Sequence, residues 1–201
     1  MKTIGTKILN ETLSWNQYLK LTEDIVNHED RPEKYRDEKM LRYTTQNLER
    51  MKRISAHMTV DTKLYNALSR FTEPMTWMVL TEPWCGDASQ SVPALQVLAA
   101  CNENIRFCVL LSDSHQEVLA QFLTNGSYSI PKLVCLNAQN EVIAVWGPRP
   151  KALQDIAMVK LKDPSLSFGQ KVKLIHEWYD QDATKSLQEE FTAMVKSWEL
   201  N

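Results

Sequence analysis

The chain has no excess of positive charge, no long apolar run and no clustered metal ligands, and each absence removes a class of function. Its 201 residues carry 23 Lys+Arg against 25 Asp+Glu, a formal net charge of -2. No broad basic field is therefore available to gather nucleic acid or an anionic membrane. Residues 1–72 hold 13 Lys+Arg to 10 Asp+Glu, an excess that a solvated helix face accounts for. No stretch approaches the roughly 18 apolar residues of a membrane-spanning helix. The opening Met1-Lys2-Thr3-Ile4-Gly5-Thr6-Lys7 lacks the apolar centre of a secretory signal. The expectation is a cytoplasmic protein with neither nucleic acid nor membrane as partner. Cys85, Cys101, Cys108 and Cys135 are not closely paired as in a secreted disulfide framework, and no Cys or His pair has zinc-ligand spacing. No metal and no cofactor is expected. Internal repeats and low-complexity linkers are lacking as well.

What is present is a change of hydrophobic period. From residue 12 to about 71, Leu13, Trp15, Tyr18, Leu19, Ile25 and Val26, then Met40, Leu41, Tyr43, Leu48, Met51 and Ile54, recur near the helical repeat, with a break at Arg31-Pro32. A short helix follows Thr59, with Leu64, Tyr65 and Leu68 inward. Met75–Leu80, Ile105–Leu111 and Leu133–Leu136 are then nearly continuous apolar runs, the pattern of strands covered on both faces. Helical patterns separate them, one at Val92, Leu95, Leu98 and Ala99 and one at Val118, Leu119, Phe122 and Leu123, stopped by Asn125-Gly126. Val142–Trp146 follows a four-residue connection short enough for an antiparallel hairpin. With a helix near 150–162, the order from Met75 is β-α-β-α-β-β-α. Helical spacing returns from about Gly169, with Asp180-Gln181-Asp182 as the expected break between two helices. The expected organisation is a helical extension over 1–72, an α/β domain over 73–162 and a second helical extension over 163–201 packed on it. Trp15, Trp178 and Trp198 lie on the apolar faces of these arms, facing the parent sheet or a second copy of the chain.

Cys85, in Thr81-Glu82-Pro83-Trp84-Cys85-Gly86-Asp87-Ala88, stands between the first strand and the following helix. Free N–H groups and the positive dipole end at a helix start favour a thiolate, so Cys85 is the candidate nucleophile, with a lowered pKa expected. Asp87 suits the helix dipole, but its charge opposes thiolate formation. A dithiol site needs a second cysteine three residues on, where this chain has Ala88. Cys101 is roughly 24 Å away along the helix and Cys135 roughly 13 Å away along a strand. Disulfide formation needs Cα atoms within about 7 Å. Cys101, Cys108 and Cys135 each fall in an apolar pattern and read as core.

The strand order with Trp84-Cys85-Gly86 after the first strand resembles the thioredoxin-like fold, a central mixed four-stranded sheet. Pro93 stands where thioredoxins kink the active-site helix. Ile130-Pro131 stands where they carry a cis-proline facing the cysteine, and Gly147 where they have a glycine lining the substrate groove. The chain resembles bacterial thioredoxin-family proteins with a helical arm ahead of Trp-Cys-Gly-Asp and a Trp-Gly-Pro-Arg-Pro turn, here Trp146–Pro150.

The resemblance implies Cys85 as catalytic residue and Trp84, Gly86, Ile130, Pro131 and Gly147 as substrate-binding positions, with the Ile130 backbone pairing with an extended substrate. Trp84 either covers the thiol or merely packs at the strand end. Trp146 and Arg149 either flank the groove or are a core tryptophan and a solvated arginine. Many thioredoxins bury a carboxylate in the first strand, and Met78-Val79-Leu80 offers none. The function implied is monothiol thiol–disulfide exchange, its partner a protein or small-molecule thiol or disulfide. The alternative is a non-catalytic protein-binding module. A third reading, a single-thiolate iron–sulfur site shared with glutathione, leaves most cluster ligands unassigned.

Overall fold

Four apolar segments form one sheet. In the computed structural model, which describes residues 2–198, β1 (Met75–Thr81) pairs in parallel with β2 (Ile105–Leu111) and antiparallel with β3 (Lys132–Leu136). β4 (Val142–Trp146) lies antiparallel to β3 and completes the mixed order β2-β1-β3-β4. Met1 and residues 199–201 lie outside the described residues. Successive side chains of a strand point to opposite faces, and both faces of β1 are covered. Trp77 and Val79 join Leu133 and Cys135 against Val92, Leu95 and Leu98 on one side. Met78 and Leu80 join Cys108, Leu110, Val134 and Leu136 against Val118, Leu119 and Phe122 on the other. The continuous apolar runs are the signature of this two-sided burial.

The segment ahead of the sheet folds as α1 (Thr6–Asn10), α2 (Trp15–Asn27), α3 (Glu38–His57) and α4 (Thr62–Leu68). Side chains that precede them set their starts: Ser14 and Gln17 form a capping box on α2, and Asp37 and Asp61 accept N–H bonds at α3 and α4. The first residues also do something that periodicity does not reveal. Leu13 exchanges two backbone hydrogen bonds of 2.8 Å with Val109 at the β2 edge, while the Lys2 carbonyl accepts from Val142 N–H at 2.8 Å beside β4. Both sheet edges are thereby covered by the chain's own N-terminus, the usual remedy for exposed edge strands.

After β1 come α5 (Gly86–Ala99), with Pro93 inside it, and the short α6 (Gln116–Leu119), then α7 (Lys151–Lys160), α8 (Phe168–Asp182) and α9 (Lys185–Trp198). The break between the last two helices corrects the expectation of Asp180-Gln181-Asp182. These residues finish α8, and the chain turns at Ala183 and Thr184, both at positive φ. Asp182 reads like a breaker because its carboxylate serves the next helix, accepting from Ser186 N–H at 3.1 Å. α9 returns to the sheet with Leu187, Phe191 and Val195 buried. The Phe191 ring lies 5.3 Å from Trp77 and 5.9 Å from Trp146. Trp198 meets Trp77, Trp15 meets Phe107, and Trp178 meets Tyr179, so all three arm tryptophans find aromatic partners within the chain.

Phe191 is fully buried, so Phe191→Ala should cost about 3–5 kcal/mol in denaturant unfolding, the range for deleting a core aromatic. A cost below about 1 kcal/mol, typical of a surface change, would mean that α9 is not docked on the sheet.

Candidate functional site

Cys85 caps the N-terminus of α5 with extended backbone angles, φ -77 and ψ 115. The N–H groups of Asp87 and Ala88 point at its sulfur, as the free donors of a first helical turn must if anything lies on the axis. The Sγ–H donates to the Ile130 carbonyl at 3.5 Å, and the Ile130–Pro131 peptide is cis. Gly147 stands at φ 108 with Pro131's carbonyl against its Cα, so a side chain there would meet backbone and suffer strain. Lys132 closes the arrangement by donating from Nζ to the Gly147 carbonyl at 2.8 Å and to the Thr124 hydroxyl.

The electrostatics correct the expectation of a lowered thiol pKa. Cys85 is 6% exposed, and burial, followed by the Asp87 charge, pushes its thiol up to about 12. The N–H groups of Ala88 and Asp87 and the Arg149 guanidinium pull the other way and lose. A helix start favours an exposed anion by about 0.3–1 kcal/mol and a partly buried one by up to about 2 kcal/mol; here the sulfur is withdrawn from water, and the desolvation of its charged form outweighs that gain.

Asp87 is itself buried. Arg149 donates to it from Nε at 2.8 Å and approaches from Nη2 at 2.6 Å, and the Tyr179 hydroxyl on α8 donates to the same carboxylate at 3.1 Å. Burial raises the Asp87 carboxyl above its usual range, against the pull of Arg149. Arg149 is thus a buried partner of the site and not a solvated side chain. Trp146 is core: it is 8% exposed, and its indole N–H donates to Glu190 at 2.6 Å.

Above the sulfur lies a pocket of about 600 Å³. Cys85, Trp84, Gly86 and Ile130 line it, while Pro131 and Gly147, the other two sequence-predicted positions, meet each other outside its lining. The arms add Met40, Tyr43 and Asn47 of α3 and Phe168, Val172, Ile175 and His176 of α8, while Asp87, Tyr128, Arg149 and Leu161 also line it. The Lys39 ammonium lies 5.9 Å from the Tyr43 ring and 5.1 Å from the Phe168 ring. The His176 imidazole would lie 3.2 Å from a Cβ at Gly86 and pairs through Nδ1 with Gln90 at 3.2 Å. Burial, then the nearby Arg50, lowers its pKa to about 4. The Ile130 carbonyl, expected to pair with an extended substrate, already receives the thiol.

Sequence reasoning missed His176, Tyr179 and the α3 wall, which no motif spacing marks. It also missed Glu82, just beyond the strand searched for an acid. Glu82 is 2% exposed and accepts from Lys34 Nζ at 3.0 Å and from Asp113 N–H at 2.8 Å. All four cysteines are free thiols; Cys108 and Cys135 are buried, and Cys101 is half-buried. Among the described residues, no group of three or more His, Cys, Asp or Glu could hold a metal ion, and no helix is long and apolar enough to cross a membrane.

A family model described as Thioredoxin matches residues 33–166. The chain belongs to the thioredoxin family. Two solved structures share its fold. One, a protein of unknown function from Pseudomonas aeruginosa, is 15% identical with a TM-score of 0.56, covering 92% of this chain and 98% of that one. The other, an HIV epitope-scaffold, is 14% identical with a TM-score of 0.55, covering 92% and 99%. No curated protein matches. The thioredoxin-family match stops at 166, ahead of α8, so His176 and Tyr179 enter the site from outside the matched span.

Because the Asp87 charge raises the Cys85 pKa, Asp87→Asn should lower the pH at which Cys85 alkylation is half-maximal. An unchanged or higher half-point would show that this charge does not govern the thiol.

Proposed function

We propose that this thioredoxin-family protein carries out thiol–disulfide exchange through Cys85 alone. The observation that supports this best is the placement of its sulfur between the cis Ile130–Pro131 carbonyl and the N–H groups of Asp87 and Ala88, on the floor of a pocket. Those two donors favour the Cys85 thiolate that forms before attack and that leaves again when the mixed disulfide is resolved.

In the first step the Cys85 sulfur bonds to one sulfur of a substrate disulfide. The substrate S–S bond breaks, and the second sulfur leaves with the bonding pair and takes the proton given up by Cys85. Ala88 has no thiol for a second intramolecular attack. A second, external thiol therefore attacks the mixed disulfide, forming a new disulfide and returning the proton to Cys85. The net change is exchange: one external thiol is consumed, one half of the substrate disulfide leaves as a thiol, and the other half leaves in a new disulfide with the external thiol. The high resting pKa slows attack and suits a thiol that waits for a bound substrate over one that reacts with every oxidant. A chain with four free thiols fits a reducing compartment, the cytoplasm.

A second reading is favoured by the 6% exposure of Cys85: a thioredoxin-fold binding module whose thiol is inert packing. Incubation with 2-hydroxyethyl disulfide, followed by intact mass, separates the two. Exchange predicts an adduct mapped to Cys85 on the native protein, apart from any on the half-buried Cys101, its absence from Cys85→Ser, and its removal by added thiol. A native protein that stays unmodified at Cys85 while a free cysteine derivative reacts would leave the binding module.

A further inference from the structure

We propose that the pocket over Cys85 binds a small, uncharged, largely apolar molecule, and that the disulfide it admits belongs to this class. The second half rests on Cys85 being the exchanging sulfur; the first stands on the shape and charge of the pocket.

Size is the first constraint. A volume of about 600 Å³ lies within the range of roughly 300–1,000 Å³ typical of small-molecule sites. α3 and α8 both contribute to its wall, so the sulfur lies at a partly enclosed pocket.

Lining and charge are the second. Met40, Tyr43, Trp84, Phe168, Val172 and Ile175 make most of the wall apolar. Four charged side chains touch the pocket, two acids and two bases, so their formal charges cancel. They are also engaged. Asp87 and Arg149 hold each other, Asp37 accepts the Met40 N–H at the start of α3, and the Lys39 ammonium sits over two aromatic rings. His176 is neutral across the physiological range, since burial and Arg50 lower its pKa to about 4. An anionic tripeptide such as glutathione finds Lys39, exposed beside two aromatic rings, as a cation of the lining without a carboxylate partner among the described residues, and most of its charge would lose water without replacement. An apolar ligand loses nothing of that kind and gains by burial.

The test compares rates of mixed-disulfide formation at Cys85 with dipropyl disulfide and with glutathione disulfide, each divided by the reagent's rate with N-acetylcysteine amide. The expected preference for dipropyl disulfide is about tenfold or more, the gain from burying two methylenes. Val172→Trp, which fills the pocket from α8, should abolish it, and Met40→Trp repeats the test from α3 if the first variant does not fold. A preference absent in the native protein, or unchanged by filling the pocket, overturns the pocket inference and leaves the Cys85 chemistry intact. Binding of dipropyl disulfide to Cys85→Ser, followed by ligand-observed NMR, reads the pocket without the chemistry. Binding there without exchange in the native protein keeps the pocket and removes the exchange reading. No binding removes the pocket.

Discussion

A carboxylate and a guanidinium withdrawn from water together fix the geometry around Cys85. Asp87 lies in the first turn of α5, Arg149 lies in the turn between β4 and α7, and their side chains are only 13% and 17% exposed. Removing one member of such a pair strands the other, at a cost of about 3–5 kcal/mol. Through Tyr179 the same carboxylate reaches α8, so one buried group joins the cysteine loop, the end of the sheet and the C-terminal arm. It also adds to what sets the state of the thiol: the helix start supplies donors to the sulfur, and burial, joined by the Asp87 charge, overrides them.

The arms belong to the site as much as the sheet does. The sheet and α5 place Cys85 against the cis-proline loop, but α3 and α8 convert that spot into a walled pocket. Each arm is anchored for a separate reason: α3 by Asn47, which donates to the Pro83 carbonyl at 3.0 Å beside the cysteine loop, and α8 by its contacts with Asp87 and Gln90. The ion pair sets the wall, the wall sets what reaches the sulfur, and the dryness of that space sets the reactivity.

The sheet was legible because two-sided burial leaves continuous apolar runs, and β2 and β4 fall on the residues expected. Cys85 stood out because a cysteine between strand and helix is a local pattern, and Trp84, Gly86 and Ile130 stood out through the resemblance to thioredoxins; all four line one pocket. The thiol's charge state was not. A helix start is visible in sequence, whereas the burial that outweighs it depends on α3 and α8, far away along the chain. Arg149 looked as much like a solvated side chain as a buried one for the same reason: its partner is chosen by the fold. Asp182 was misread because a carboxylate capping the following helix and one ending the preceding helix look alike. The β-bridges of Leu13 and of the first residues were missed because one or two paired residues have no period.

The most direct test of the buried-thiol account is a titration of Cys85 itself, with its β-carbon labelled with carbon-13 and the chemical shift followed against pH in the native protein. The account predicts a thiol that stays protonated through neutral pH and titrates well above the free-cysteine value of about 8.5. A midpoint at or below that value would contradict it, for the sulfur would then be governed by the helix start and not by its enclosure.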